Sequence, residues 1–404
     1  MVPANEQRTG QQSDRQPDQQ AAERGGRQQA DQADQAAAAA ASLQQTRPAT
    51  PPGQFPPGDP RGRSLQWGTR ARPSNPDGGL TVDDINIGIY GDIPDRALAR
   101  TRLPRGAVPS ANSAPVGGFN VRESHELWSE NAGELYEEAI QRRWSTATDL
   151  PWETARDLSD DVELAVCQVA TELCQQAQTE TDVISRWLMA LNPAYHEVKL
   201  FLSTQLFDSA RMFDGYRKRA MLNGGGMLLE SPGWVNRIML EIASGWSEAI
   251  VLTSLVRGSF THTLLRYLAA YGPTELDRQL AWRLIPDKTR HIAYTMGHLR
   301  FAFSKRPELA RSYAMGLAAA ERQVARDEDD HVLWEALAII FGGGIKGMDD
   351  GMDVVKRLRR SWVNAYLDRL DSSGVPRREL VIPALREWIE EPAEEQAEAA
   401  AAPA

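Results

Sequence analysis

Phe207-Asp208-Ser209-Ala210-Arg211-Met212 and Pro286-Asp287-Lys288-Thr289-Arg290-His291 are two copies of one pattern. In each, an Asp precedes an Arg by three residues, so on a helix both fall on one face. The copies stand 79 residues apart (287 minus 208), and each follows a helix breaker. Pro193 of Asn192-Pro193 lies 15 residues before Asp208, and Pro273 of Gly272-Pro273 lies 14 before Asp287. This spacing predicts a helix, turn, helix unit used twice, the organisation of a bundle built from two helical hairpins.

Working outward, the apolar periodicity predicts helices over about 126–144, 160–191, 195–222, a stretch to 271, and 274–303. Ser231-Pro232 reads as an N-cap followed by Pro in the first turn, opening a helix to about residue 249, and Thr274 reads as another cap. Further helices are expected over 308–326, 329–341, 352–370 and 380–390, packed outside the hairpins. Gly342 to Gly347 holds several glycines and a lysine, but it lacks the Gly-Lys-Ser/Thr ending and the preceding strand of a phosphate loop. It reads as a helix terminus. The fold class is therefore all-α.

The chain has 404 residues and a formal net charge of −10, unevenly distributed. Residues 1–119 are rich in Gln, Asp, Arg, Pro and Gly and poor in large apolar side chains, so they are expected to form a disordered arm. The bundle is expected over 120–310, accessory helices over 311–391, and an acidic, Ala-rich tail over 392–404. No apolar run reaches the roughly 18 to 20 residues of a membrane span, and no secretory leader pattern opens the sequence. A cytoplasmic address is the expectation. The acidic balance argues against nucleic-acid binding. Cys167 and Cys174, seven apart, would stand about 10 Å apart along a helix, too far for a disulfide. They read as buried thiols. The tryptophans, Trp144, Trp152, Trp187, Trp246 and Trp282 among them, read as core or interface anchors. The Arg357, Arg359, Arg360 cluster reads as a solvated face.

The two segments resemble the Asp-Glu-x-Arg-His signature of ferritin-like diiron oxidases and oxygenases, the branch that includes ribonucleotide reductase small subunits. The resemblance covers about residues 120–310. It also takes in Leu135-Tyr136-Glu137-Glu138-Ala139, Asp149-Leu150-Pro151-Trp152 and His196-Glu197-Val198 running into Phe201-Leu202-Ser203-Thr204-Gln205. It implies a ferritin-like bundle whose six metal-ligand positions are largely replaced. The paired Glu-x-x-His positions hold Ser209 and Met212 in one half and Lys288 and His291 in the other. A single-Glu position falls near Arg257, and its counterpart falls between Ala177 and Glu180.

A hydroxyl with a thioether is a poor donor pair for a hard ion, and Arg257 and Lys288 place positive charge where cations would sit. Asp208, Arg211, Asp287 and Arg290 are then expected to form a buried polar network, with Asp208 on His291 and each arginine on a neighbouring carboxylate. No catalytic residue and no metal are assigned. The expected function is a non-catalytic structural or regulatory subunit, homo- or hetero-oligomeric, whose partner is a protein, for instance a catalytic ferritin-like paralogue. The alternative is an oxidoreductase holding iron or manganese through an unorthodox ligand set. A third reading is a small anion held between Arg257 and Lys288.

Overall fold

The computed structural model describes residues 70–98, 101–107, 112–155, 158–327 and 331–390, all within the compact unit Ser64–Ala404. The expectations for residues 1–69 and for the tail from 392 fall outside the described residues. Among those described, extended structure is limited to two isolated bridges, Arg96 with Glu123 and Val121 with Leu191.

The helices are α1 (Ala132–Gln141), α2 (Asp160–Leu188), α3 (His196–Leu222), α4 (Trp234–Arg237), α5 (Trp246–Ile250), α6 (Gly258–Tyr271), α7 (Glu275–Lys305), α8 (Leu309–Asp327), α9 (His331–Gly342), α10 (Met348–Ser372) and α11 (Pro383–Arg386). The two expected hairpins are α2 with α3 and α6 with α7, and α3 lies against α7. Helix α9 packs on α2 and α10 on α6, so these two form a second layer outside the hairpins, as the periodicity predicts. A continuous core joins the layers through fully buried Leu173, Leu255, Leu264, Leu284, Leu337, Leu358 and Leu367. A second cluster around Leu127, Tyr195, Phe201, Trp246 and Tyr294 closes the other end.

Local chemistry sets the helix ends. Asn192 closes the turn ahead of α3 by accepting the Ala194 N–H on its side chain at 3.0 Å. Gly224, at φ 74°, supplies the left-handed turn that follows α3. Thr274 caps α7 as expected, in a reciprocal box with Asp277. Pro286 does not stop α7. It removes one N–H, and the carbonyl four residues back belongs to Trp282, whose side chain is 59% exposed, so the loss falls towards the solvent face. Cys167 and Cys174 are buried free thiols directed at the Ala220 and Phe213 carbonyls of α3. The glycines from 342 to 347 form the turn between α9 and α10.

Three expectations are corrected. The helix from Ser231 to about residue 249 is broken: α4 runs into a π-helical turn, Ile238–Ile242, stops, and restarts as α5, which widens into a second π segment, Val251–Arg257. Ser231 is not its cap, because its hydroxyl is committed to the Glu172 carboxylate, and Gly233 opens α4 instead. The free N–H groups of Trp234 and Val235 are taken by Asp327 of α8 at 2.8 and 3.1 Å.

Second, the first helix is shorter than expected, α1 beginning at Ala132 after a 3-10 turn, Ser124–Glu126.

Third, residues from 70 to 119 are not all arm. Ala97 and Phe119 are buried, and Arg105 reaches the buried Glu197 carboxylate together with Asn86 and the Ala194 carbonyl. Tyr195 donates its hydroxyl to the Pro94 and Arg122 carbonyls at 2.9 and 2.7 Å. Such a segment needs no core of its own, since its order comes from polar contacts to the bundle. Composition therefore does not show it.

Candidate functional site

The two halves of the repeat meet where α3 faces α7. Asp208 accepts from Arg211 on its own helix at 2.6 Å and from Arg290 on α7 at 3.0 Å. Asp287 accepts from Arg290 on its own helix at 2.5 Å and from Arg211 at 2.6 Å. Each arginine thus bridges both aspartates, and the i to i+3 spacing within each segment makes the exchange symmetrical. All four side chains are buried. Trp144 covers the group: its ring lies 4.6 Å from the Arg211 guanidinium, and its indole N–H points to Asp287 at 3.4 Å.

One turn deeper, Glu180 of α2 gathers three donors. Lys288 gives its ammonium to one carboxylate oxygen, and Gln205 and His291 Nδ1 reach the other at 3.0 and 3.1 Å. The opposite ring nitrogen of His291 is 3.3 Å from Asp208. A histidine with a carboxylate on each nitrogen is held as the imidazolium. Burial alone would lower its pKa, but the bonds to Asp208 and Glu180 outweigh that and raise it.

Burial would raise the Glu180 pKa, and Lys288 and His291 reverse this and hold it below its ordinary value. Asp208 is lowered in the same way, burial being outweighed by His291 and the two arginines. In Asp287, burial and the Asp208 charge prevail and raise it. Acid would therefore protonate Asp287 before Asp208. With Glu138 4.0 Å from Arg290, four carboxylates (Glu138, Glu180, Asp208, Asp287) face four cations (Arg211, Lys288, Arg290, His291).

A neighbouring network closes the same end. Glu172 accepts from Arg257 at 2.7 Å and Gln176 at 2.5 Å, and Thr261 donates to Gln176 at 2.6 Å. The space between the networks, lined by Gln176, Glu180, Met239, Thr253, Arg257 and Lys288 among others, has a volume of about 10 Å³. That is about the least a water molecule needs. Ser209 is buried and spends its hydroxyl on the Gln205 carbonyl, and Met212 is buried among core side chains.

The structure brings together all the expected network residues, with Asp208 on His291 as anticipated, and Glu180 rather than Ala177 faces Lys288. An anion between Arg257 and Lys288 is not supported, since Glu172 and Glu180 already neutralise them. Glu241 and Glu248 do not join the buried carboxylates; they pair locally with Arg237 and Ser244. Trp282, read as a core or interface anchor, is exposed, and Arg359, read as part of a solvated face, stacks on Trp334 at 4.2 Å. Sequence reasoning missed Gln176, Gln205 and Glu138. For Gln176 the signal was present: Glu172, Gln176 and Glu180 recur every four residues along α2 and so fall on one face.

The donor set does not fit a diiron centre. Both oxygens of Glu180 and both of Glu172 are occupied by donors from the chain, two of them fixed cations; His291 has a carboxylate on each ring nitrogen, and the other two paired positions hold a serine and a thioether. Among the described residues, no group of three or more His, Cys, Asp and Glu side chains is placed to share a metal ion.

Fold and site together define an all-α bundle protein whose polar centre is compensated by its own side chains. Neither the known protein-family models nor the curated proteins give a match to this sequence.

Proposed function

We propose that this chain is a ferritin-like protein without a working metal centre, acting as a structural or regulatory subunit through protein contacts. The observation that carries the reading is the pairing of Lys288 with Glu180 and of Arg257 with Glu172. Two fixed cations of the chain supply the charge that metal ions supply in the proteins it resembles. The bundle centre then serves to hold four helices in one register, a use for which buried polar groups are suited.

The surface supports the second half of the proposal. The loop after α3 is strapped along α2, Leu228 N–H donating to Thr171 and Leu229 N–H to Gln168, and it leaves Met227, Leu228 and Leu229 exposed. Leu164, one turn from Gln168 on α2, is 54% exposed. Adjacent exposed apolar side chains of this kind mark contact surfaces. No helix among the described residues is long and apolar enough to cross a membrane.

The test combines metal analysis and native co-purification of untagged protein from iron-supplemented cells. The proposal expects iron, manganese and zinc well below one ion per chain, and a stoichiometric protein partner. Near-stoichiometric iron or manganese would transfer the reading to the oxidoreductase. A metal-free monomer that brings down no partner would defeat the subunit role.

A further inference from the structure

One sizeable cavity among the described residues belongs to neither network. It lies where α5 and the π segment meet the end of α7 and the start of α8, and has a volume of about 380 Å³. That is within the range of small-ligand sites, roughly 300 to 1,000 Å³. Trp246, Val251, Leu252, Ala302, Leu309 and Leu317 give it apolar walls.

Its polar atoms are not evenly distributed in character. Glu248 uses one oxygen on the Ser244 N–H and hydroxyl, at 2.9 and 2.8 Å. Glu126 uses one on the N–H groups of Arg122 and Glu123, at 3.3 and 3.1 Å. Among the described residues the second oxygen of each has no hydrogen-bond donor from the chain, and neither carboxylate is ion-paired, although His125 shares the cavity lining.

Both charges are felt at Tyr313, whose side chain is hydrogen-bonded to Ser247: burial raises its phenol, the Ser247 bond opposes this, and Glu248 and Glu126 add to the rise. Between them stands Ser247, whose hydroxyl oxygen is 2.7 Å from His298 Nε2 and 2.8 Å from the Glu126 carbonyl. His298 is fully buried, and its Nδ1 must donate to the Trp128 carbonyl at 3.0 Å. Its Nε2 is therefore a bare acceptor, and the single Ser247 proton is drawn away from the cavity. Ser247 therefore faces the cavity as an acceptor and already receives the Tyr313 hydroxyl, so the acceptors left open to a ligand are chiefly the free oxygens of Glu126 and Glu248.

We infer that this cavity is a binding site for an organic cation, an alkylammonium-type group on an apolar body. The ammonium would sit among the Glu126 and Glu248 carboxylates and Ser247, and the hydrocarbon would lie on Trp246, Leu252 and Leu317. An anion meets two carboxylates there, and a neutral alcohol leaves both uncompensated. The inference goes beyond the subunit reading and does not depend on it.

The experiment is calorimetric titration of the full chain with n-hexylammonium, 1-hexanol and hexanoate at matched ionic strength. The cation is expected to bind about tenfold or more tightly than the alcohol, with no binding of the carboxylate. Glu248→Gln together with Glu126→Gln should bring the amine down to the level of the alcohol.

Gly316→Leu provides a control that does not disturb the carboxylates. A Cβ at Gly316 meets nothing within 4 Å and Gly316 lines the cavity, so a leucine there is expected to take up the cavity space from α8 and remove binding of the amine. The inference is overturned if no probe binds, if hexanol or hexanoate binds as well as the amine, or if the amine binds unchanged to the Gly316→Leu protein.

Discussion

The Lys288 ammonium is hydrogen-bonded to the Glu180 carboxylate in the interior of the bundle, each side chain less than a tenth exposed. Two ions taken out of water are costly singly and tolerable together, because each solvates the other. Lys288→Met should therefore cost up to about 3–5 kcal/mol, because Glu180 is left with Gln205 and with His291, whose charge it shares with Asp208. Lys288→Met combined with Glu180→Leu should recover a large part of that loss. Denaturant unfolding of the two variants and of Glu180→Leu alone, closed as a double-mutant cycle, measures the coupling. A double variant no more stable than Lys288→Met would show that the pair is not the source of the loss.

Arg105 ties the chain before the bundle to Glu197, at the start of α3, and to the Ala194 carbonyl. Both side chains of the pair are buried. Arg105→Ala should release the segment around it while the helices keep their order. Limited proteolysis is expected to cut the variant faster between residues 80 and 120, with far-ultraviolet circular dichroism almost unchanged. Equal cutting rates would mean that Tyr195 and the bridges at Arg96 and Val121 suffice to hold it.

His262 and His298 are each depressed to about 4, in both cases mainly by burial, with Arg369 and Arg266 adding to the effect at His262. Both are neutral in the folded protein at pH 7. As pH falls through about 6.5 the unfolded chain takes up protons that the folded chain refuses until near 4, so stability is lost across that window. The expected loss is about 3 kcal/mol per histidine at most. His298→Gln can keep a donor for the Trp128 carbonyl and an acceptor for Ser247. It should reduce the slope of stability against pH between 6.5 and 5, where ordinary carboxylates contribute little. A slope unchanged in both His298→Gln and His262→Gln would locate the acid sensitivity elsewhere.

Asp327, at the end of α8, caps α4 from a distance of 92 residues along the chain by accepting the Val235 N–H, and it accepts from Trp234 as well. Asp327→Ala should cost about 1–2 kcal/mol, the usual loss when an N-cap is removed. Asp327→Asn, which keeps an acceptor oxygen, should cost less. Thermal unfolding that ranks Asn below Ala in stability would contradict the capping role.

Much of the helical architecture is legible in the order of the residues. Thr274 with Asp277, Asn192 ahead of α3 and the glycines after Leu222 are local devices, readable because capping acts within three or four residues. The break between α4 and α5 is not legible, because it depends on Ser231 being drawn to Glu172 and on Asp327 supplying the cap that Ser231 does not. The ordered segment around Arg105 is hidden for a related reason. Its composition resembles that of an unfolded chain, and its order is conferred by residues about 90 positions away.

The sequence by itself determined the all-α class and the duplicated hairpin, since both follow from spacing and from the chemistry of single side chains. The resemblance carried by these segments, rather than their spacing, is what pointed to Asp208, Arg211, Asp287 and Arg290 as one network. Only the tertiary structure decided that Glu180 and Glu172 are each closed by a cation of the chain. It also decided that the space between them is too small for more than a water molecule and that an open, acceptor-lined cavity lies elsewhere. These are properties of distances between helices, and helix periodicity carries no information about which residues of distant turns will share a few cubic ångströms.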